Sequence, residues 1–118
     1  MRNREEHHLQ VACIKWFKLQ HPKFSKLIFS VPNGGARNIR EAVSLKREGV
    51  LAGVSDIIIL IPNKVNHGLM VEFKSKSGRQ SKEQKTFQKV VEEQGYKYVL
   101  IRSLEMFVLE INDQLSHK

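Results

Sequence analysis

Two runs decide the fold: Asp56-Ile57-Ile58-Ile59-Leu60-Ile61 and Leu69-Met70-Val71-Glu72-Phe73-Lys74. The first is apolar and mostly β-branched after its opening acid, the pattern of a strand near the centre of a covered sheet. Pro62 and the polar stretch from Asn63 to His67 turn the chain back, so the second run reads as its hairpin partner. Val71 and Phe73 flank Glu72, which makes this second strand an interior one as well.

Working outward, Leu9, Ala12, Cys13, Trp16 and Phe17 recur at three- and four-residue steps and predict a first helix from about Glu5 to Leu19. His21-Pro22 ends it, because a residue before proline avoids helical dihedrals. Leu27 to Val31 reads as a short strand, stopped by the turn Pro32-Asn33-Gly34-Gly35. Ile39 to Glu48 reads as a helix with a weak apolar face, closed by Gly49. Beyond the central pair, Ser81 opens a helix whose buried side is Phe87, Val90 and Val91, and Gly95 ends it. Tyr96 to Ile101 is a last strand, and Ser103 caps a helix striped by Leu104, Phe107, Val108, Ile111 and Leu115. The expected order is αβαββαβα: an α/β chain whose residues 1–118 form one domain, a small mixed sheet flanked by helices.

Composition narrows the partners. The 118 residues carry 20 Lys and Arg against 12 Asp and Glu, a formal net charge of +8 at pH 7. Such an excess favours a polyanion, because each phosphate neutralised by a Lys or Arg releases counterions. With 41% hydrophobic and 27% charged residues the chain is neither disordered nor fibrous. No run approaches the roughly 18 apolar residues of a membrane helix, and MRNREEHH lacks the apolar segment of a signal peptide. The single cysteine, Cys13, closes no internal disulfide and lies on the apolar stripe; the expected location is the cytoplasm. Asn33-Gly34-Gly35-Ala36-Arg37 lacks the Lys-Ser/Thr of a P-loop, and adjacent His7 and His8 point apart on a helix as surface residues.

The informative residues are charges set among apolar ones. Asp56 opens the most apolar strand, and Glu72 and Lys74 share a face of the next because strand side chains alternate. A surface Glu72–Lys74 pair would be worth only about 0–1 kcal/mol, whereas a buried carboxylate is normally paired or bound to a metal. Two acids at adjacent strand ends suit a divalent cation, and oxygen-only ligands suit Mg²⁺ or Mn²⁺ rather than zinc. At about 100° per residue Glu6 falls within the core-facing arc of the first helix, with Gln10 at its edge. Glu6 either extends the metal site or complements the helix N-terminus.

Glu6-x-x-x-Gln10, Pro32-Asn33-Gly34-Gly35 with Arg37, Gly49-x-x-x-Gly53-x-x-Asp56, Glu72-Phe73-Lys74 and Ser81-x-x-Gln84 follow one another from Glu6 to about Ser103. This ordered set resembles the VRR-NUC (virus-type replication-repair nuclease) family, a branch of the PD-(D/E)XK nuclease superfamily, in its stand-alone phage and bacterial form. One departure is Ser55, where the family often has a proline before the metal-binding aspartate; that proline shapes backbone and is no ligand.

The resemblance implies a restriction-endonuclease-like core in which Asp56, Glu72 and the Phe73 carbonyl hold Mg²⁺ or Mn²⁺, with Glu6 reaching it from the first helix. Lys74 would orient or deprotonate the attacking water, and Gln10 and Gln84 would support the ligands or hold water. Ser81-x-x-Gln84 is also a capping box, which gives Gln84 a purely structural alternative. Asn33, Gly34, Arg37, Arg40, Lys76, Arg79, Lys82 and Lys85 are the candidate DNA contacts, the last two opening a helix where phosphate is favoured. The implied activity is metal-dependent endonucleolytic hydrolysis of DNA, on Holliday-type or other branched junctions, by a homodimer in a bacterial cell or phage-infected host. A restriction-like or mismatch-directed nuclease, or a nucleic-acid-binding module without catalysis, are the alternatives.

Overall fold

A computed structural model of the chain describes residues 3–32 and 38–117. The helices are α1 (Arg4–Gln20), α2 (Ile39–Arg47), α3 (Lys82–Glu93) and α4 (Leu104–Ser116); the strands are β1 (Ile28–Ser30), β2 (Ile57–Ile59), β3 (Leu69–Phe73) and β4 (Lys97–Ile101). Their order is the αβαββαβα expected from the sequence, with one added 3-10 turn at Pro22–Phe24 that the proline initiates. Asn3 starts α1 by accepting the Glu5 N–H on its side chain, and Ser81 and Ser103 do the same for α3 and α4. Gly49 and Gly95 follow α2 and α3 with φ of 105° and 91°, the left-handed conformation that ends a helix.

The sheet runs β1-β2-β3-β4. β2 pairs antiparallel with both β1 and β3, and β3 and β4 are parallel, joined through α3. Alternation gives the sheet two different faces. One presents Ile28, Ile57, Ile59, Leu69, Val71, Phe73 and Ile101, all buried, against Cys13 and Phe17 of α1 and Phe107 and Ile111 of α4. Phe107 is the keystone: its ring lies 6.0 Å from Trp16 and 6.3 Å from Phe73. Truncating such a ring costs about 3–5 kcal/mol.

The other face carries Ile58, Met70, Glu72, Tyr98 and Leu100, and α3 lies over its β4 side, with Phe87 6.2 Å from Tyr98. The full covering expected of β2 is found on one face only: Ile58 is half-buried and Leu60 is 48% exposed. The reason is placement, since α3 follows β3 and packs on β4 rather than on β2. Val90 of α3, expected inside, is 50% exposed, while Phe87 and Val91 are half-buried.

Ser55, Glu72 and Gln114 are the buried polar residues among those described. Gln114 of α4, 1% exposed, donates to the Ile61 carbonyl at 2.8 Å and exchanges hydrogen bonds with Asn66, which ties the β2–β3 connection to α4. Each of these bonds satisfies a group that would otherwise be costly to bury. Among the described residues no helix is long and apolar enough to cross a membrane.

Candidate active site

The ladder of β2 and β3 pairs Ile57 with Val71, so one step further Asp56 stands opposite Glu72. Residues facing each other on antiparallel strands share a side of the sheet, with Cβ atoms about 4.5–5.5 Å apart. The adjacent strand ends therefore bring together the two acids that the sequence singles out. Asp56 is anchored by the Phe73 N–H, which donates to its Oδ2 at 2.6 Å. Its approach is set by Gly53, φ 87°, which lies so close to the first turn of α3 that a Cβ there would sit 2.6 Å from the Glu83 backbone.

Glu72 is 0% exposed. Its Oε1 accepts from the Tyr98 hydroxyl and from Gln80 Nε2 at 3.2 Å. Its Oε2 is buried without a hydrogen-bond partner, and Lys74 Nζ lies 3.4 Å from it. A carboxylate oxygen left unsatisfied in the interior is costly, and a bound cation would satisfy it. The donor set is thus a pair of acids with one open, buried oxygen, beside the Phe73 main chain, and it fits a hard divalent ion. Among the described residues no three His, Cys, Asp or Glu side chains gather to hold a metal.

Glu6 reaches the same end of β3 from α1. Its Oε2 accepts the Ser75 N–H at 3.2 Å and comes within 3.4 Å of where a Cβ on Gly78 would be, a point also 3.4 Å from Lys74 Cδ. Gln10, one turn on, is half-buried on the same helix. The segment after β3 is held by Arg102, whose guanidinium donates to the Ser75 and Gly78 carbonyls. Gln84 spends its Oε1 on the Ser81 N–H while its own N–H donates to Ser81 Oγ, so both halves of the capping box form.

Arg40, Lys76, Arg79, Lys82 and Lys85 are all exposed, the last four along the segment leaving β3 and the start of α3. Asn33, Gly34 and Arg37 lie outside the described residues.

Three residues that contact Glu72 or the segment after β3 escaped the sequence reading: Tyr98, Gln80 and Arg102. Burial, followed by the bond to Glu72, pushes the Tyr98 phenol far above its ordinary range, so its hydroxyl stays protonated and donates. Tyr98 is distant from Glu72 in sequence and meets it only through the parallel pairing of β3 with β4, which no local spacing reveals.

Comparison with known proteins bears on the family and the fold. Among curated proteins none matches the chain. A solved structure described as a VRR_NUC domain protein superposes with a TM-score of 0.83 at 26% identity, covering 99% of this chain and 93% of that one. The VRR-NUC domain family matches residues 1–105. With nearly the whole chain matched in sequence, and the fold matched over its length, the protein belongs to the VRR-NUC family of PD-(D/E)XK-type nucleases.

Proposed function

We propose that residues 1–118 work as one nuclease domain that cuts DNA endonucleolytically with Mg²⁺ or Mn²⁺ held by Asp56, Glu72 and the Phe73 carbonyl. The observation that carries this reading is the buried Oε2 of Glu72, which accepts no hydrogen bond and has Lys74 Nζ 3.4 Å away, across the strand pair from Asp56. A divalent ion bound there supplies Lewis acidity towards a phosphate oxygen and lowers the pKa of water. Lys74 orients the attacking water or takes its proton, and adds positive charge where the phosphate gains negative charge. Glu6, tied to Ser75, braces the segment that carries Lys74 and completes the acidic side of the site. Gln10 supports that arrangement from α1, and Gln84 acts first through the α3 cap.

DNA follows the exposed cations Lys76, Arg79, Lys82 and Lys85 from the end of β3 onto the N-terminal turn of α3, with Arg40 and the segment containing Asn33, Gly34 and Arg37 as further contacts. The substrate class is a branched duplex such as a four-way junction, and a homodimer presenting two sites matches its two symmetric scissile strands. The test is cleavage of linear duplex, flap and four-way junction DNA with Mg²⁺, Mn²⁺ or EDTA. Metal-dependent, paired incisions confined to the junction support the reading; equal cutting of linear duplex makes it a restriction-like enzyme, and binding without cutting makes it a DNA-binding module.

A further inference from the structure

We propose that Tyr98 and Gln80 are positioning residues that commit one oxygen of Glu72 to the protein, so that Glu72 offers a cation a single oxygen, Oε2, and the site takes one metal ion. The proposal rests on the metal-dependent nuclease reading of the same site. Tyr98 is 5% exposed, and its hydroxyl donates to Glu72 Oε1 from the neighbouring strand. Gln80 donates to the same oxygen, and its Nε2 also donates to Gln88 Oε1 at 2.8 Å. Gln88 in turn donates to Glu92 Oε2 at 3.3 Å.

This chain of amides has one consistent direction. Glu92 accepts only, so Gln88 must turn its NH₂ towards it and its carbonyl towards Gln80; Gln80 must then present its NH₂ to both Gln88 and Glu72. A flipped Gln80 would aim a carbonyl at a carboxylate. Orientation set on α3 is thereby passed to a side chain buried on β3. Two donors occupy the two lone pairs of Oε1. Oε2 accepts no hydrogen bond and stays buried, with Lys74 Nζ 3.4 Å away, which leaves it as the oxygen open to a cation. A carboxylate fixed in this way does not chelate one ion with both oxygens, nor hold a separate ion on each. Groups that orient a metal ligand typically matter to affinity by about 10–100-fold.

The experiment titrates Mn²⁺ into the full chain without DNA, following free Mn²⁺ by electron paramagnetic resonance, for wild type, Tyr98→Phe and Gln80→Leu, with melting curves in EDTA alongside. The expected result is one Mn²⁺ per chain in the wild type and about 10–100-fold weaker binding in each variant, with folding retained. In cleavage assays the Mn²⁺ concentration for half-maximal rate should rise more than kcat falls, as positioning rather than direct chemistry demands. Gln80 lies in the segment before α3, so its variant decides the matter even if Tyr98→Phe melts too low to titrate. Two Mn²⁺ per wild-type chain, or unchanged affinity in a folded variant, overturns the proposal while the nuclease reading stands. A wild type that binds no Mn²⁺ and still cuts DNA after Glu72→Gln overturns the nuclease site, and this inference with it.

Discussion

Asp56 faces Glu72 across β2 and β3, one residue beyond the last ladder pair, and its carboxylate holds the Phe73 N–H at 2.6 Å. The hydrogen bond and the register together lock two acids of different strands onto one side of the sheet.

The first consequence concerns Glu72→Gln. The amide oxygen can still accept from Tyr98 and Gln80, so the fold should persist, at a lower melting temperature in EDTA because Lys74 loses its ion-pair partner. What disappears is the anionic Oε2. Mn²⁺ should raise the melting temperature of the wild type, as any ligand of the native state does, and leave the variant unmoved. Cleavage should fall to background. Full turnover of the variant in saturating Mg²⁺ would refute the metal assignment.

Gly53 offers a second handle, on geometry instead of charge. A Cβ at this position would meet the Glu83 carbonyl carbon and oxygen at 2.6 Å, with φ already at 87°. Gly53→Ala should lower stability by more than the about 1–2 kcal/mol of left-handed strain, because α3 must also move away from the chain entering Asp56. Gly49→Ala, with φ 105° and no atom within 4 Å of the added methyl, carries strain alone. Urea melts and cleavage rates on the pair should show Gly53→Ala losing both stability and activity, and Gly49→Ala losing mainly stability.

The element order was legible because each helix and strand announces itself locally: stripes at three and four residues, caps at Ser81 and Ser103, and stops at Pro22 and Gly95. Asp56, Glu72 and Lys74 were legible for a related reason, as charges interrupting an apolar pattern. What stayed hidden depends on pairing between distant segments. Tyr98 reads as one more aromatic in a strand, and its bond to Glu72 exists only because β4 docks parallel to β3. Gln114 sits in place of an apolar residue on α4, and its partner Asn66 looks like ordinary loop polarity. Val90 was misplaced because α3 rests on the sheet over part of its width, so its apolar side is narrower than its periodicity suggests.

DNA binding can be tested apart from catalysis. Arg79 and Lys82 are exposed beside the segment that leaves the site. If both contact phosphates, the double change Arg79→Ala with Lys82→Ala should flatten log K against log[salt] by roughly 2 units, at about 0.9 per contact. Fluorescence anisotropy at several salt concentrations, in Ca²⁺ to slow cleavage, measures this. An unaltered slope would move the DNA path elsewhere.

Cys13 makes an alkaline prediction. It is 0% exposed, and burial pushes its thiol up to about 12 from 9.0. The unfolded chain therefore loses this proton first. Between about pH 9 and 12 the folded state binds more protons than the unfolded one, and stability falls as pH rises. The limiting slope is about 1.4 kcal/mol per pH unit. Cys13→Ala should flatten that part of the profile while costing some packing at neutral pH. The native thiol should resist a thiol reagent at pH 8 and react fully in urea; rapid labelling of the folded protein would contradict its burial.

Lys74 is where chemistry and structure are hardest to separate, because its Nζ lies 3.4 Å from an oxygen that has no hydrogen-bond partner. Its side chain is 13% exposed and that of Glu72 is 0% exposed, so Lys74→Ala strands a buried carboxylate. Breaking such a pair from one side typically costs about 3–5 kcal/mol, and that loss should appear in EDTA. Mn²⁺ should restore most of it, since the cation replaces the lost charge and no longer meets a positive neighbour; Mn²⁺ affinity should hold or improve. The rate at saturating metal and DNA should nevertheless stay about 10²–10⁴-fold down, the usual weight of an acid–base group. Single-turnover cleavage, Mn²⁺ titration and melting on one preparation distinguish the roles. A rate that recovers along with stability once Mn²⁺ is bound would make Lys74 a structural partner of Glu72 and nothing more.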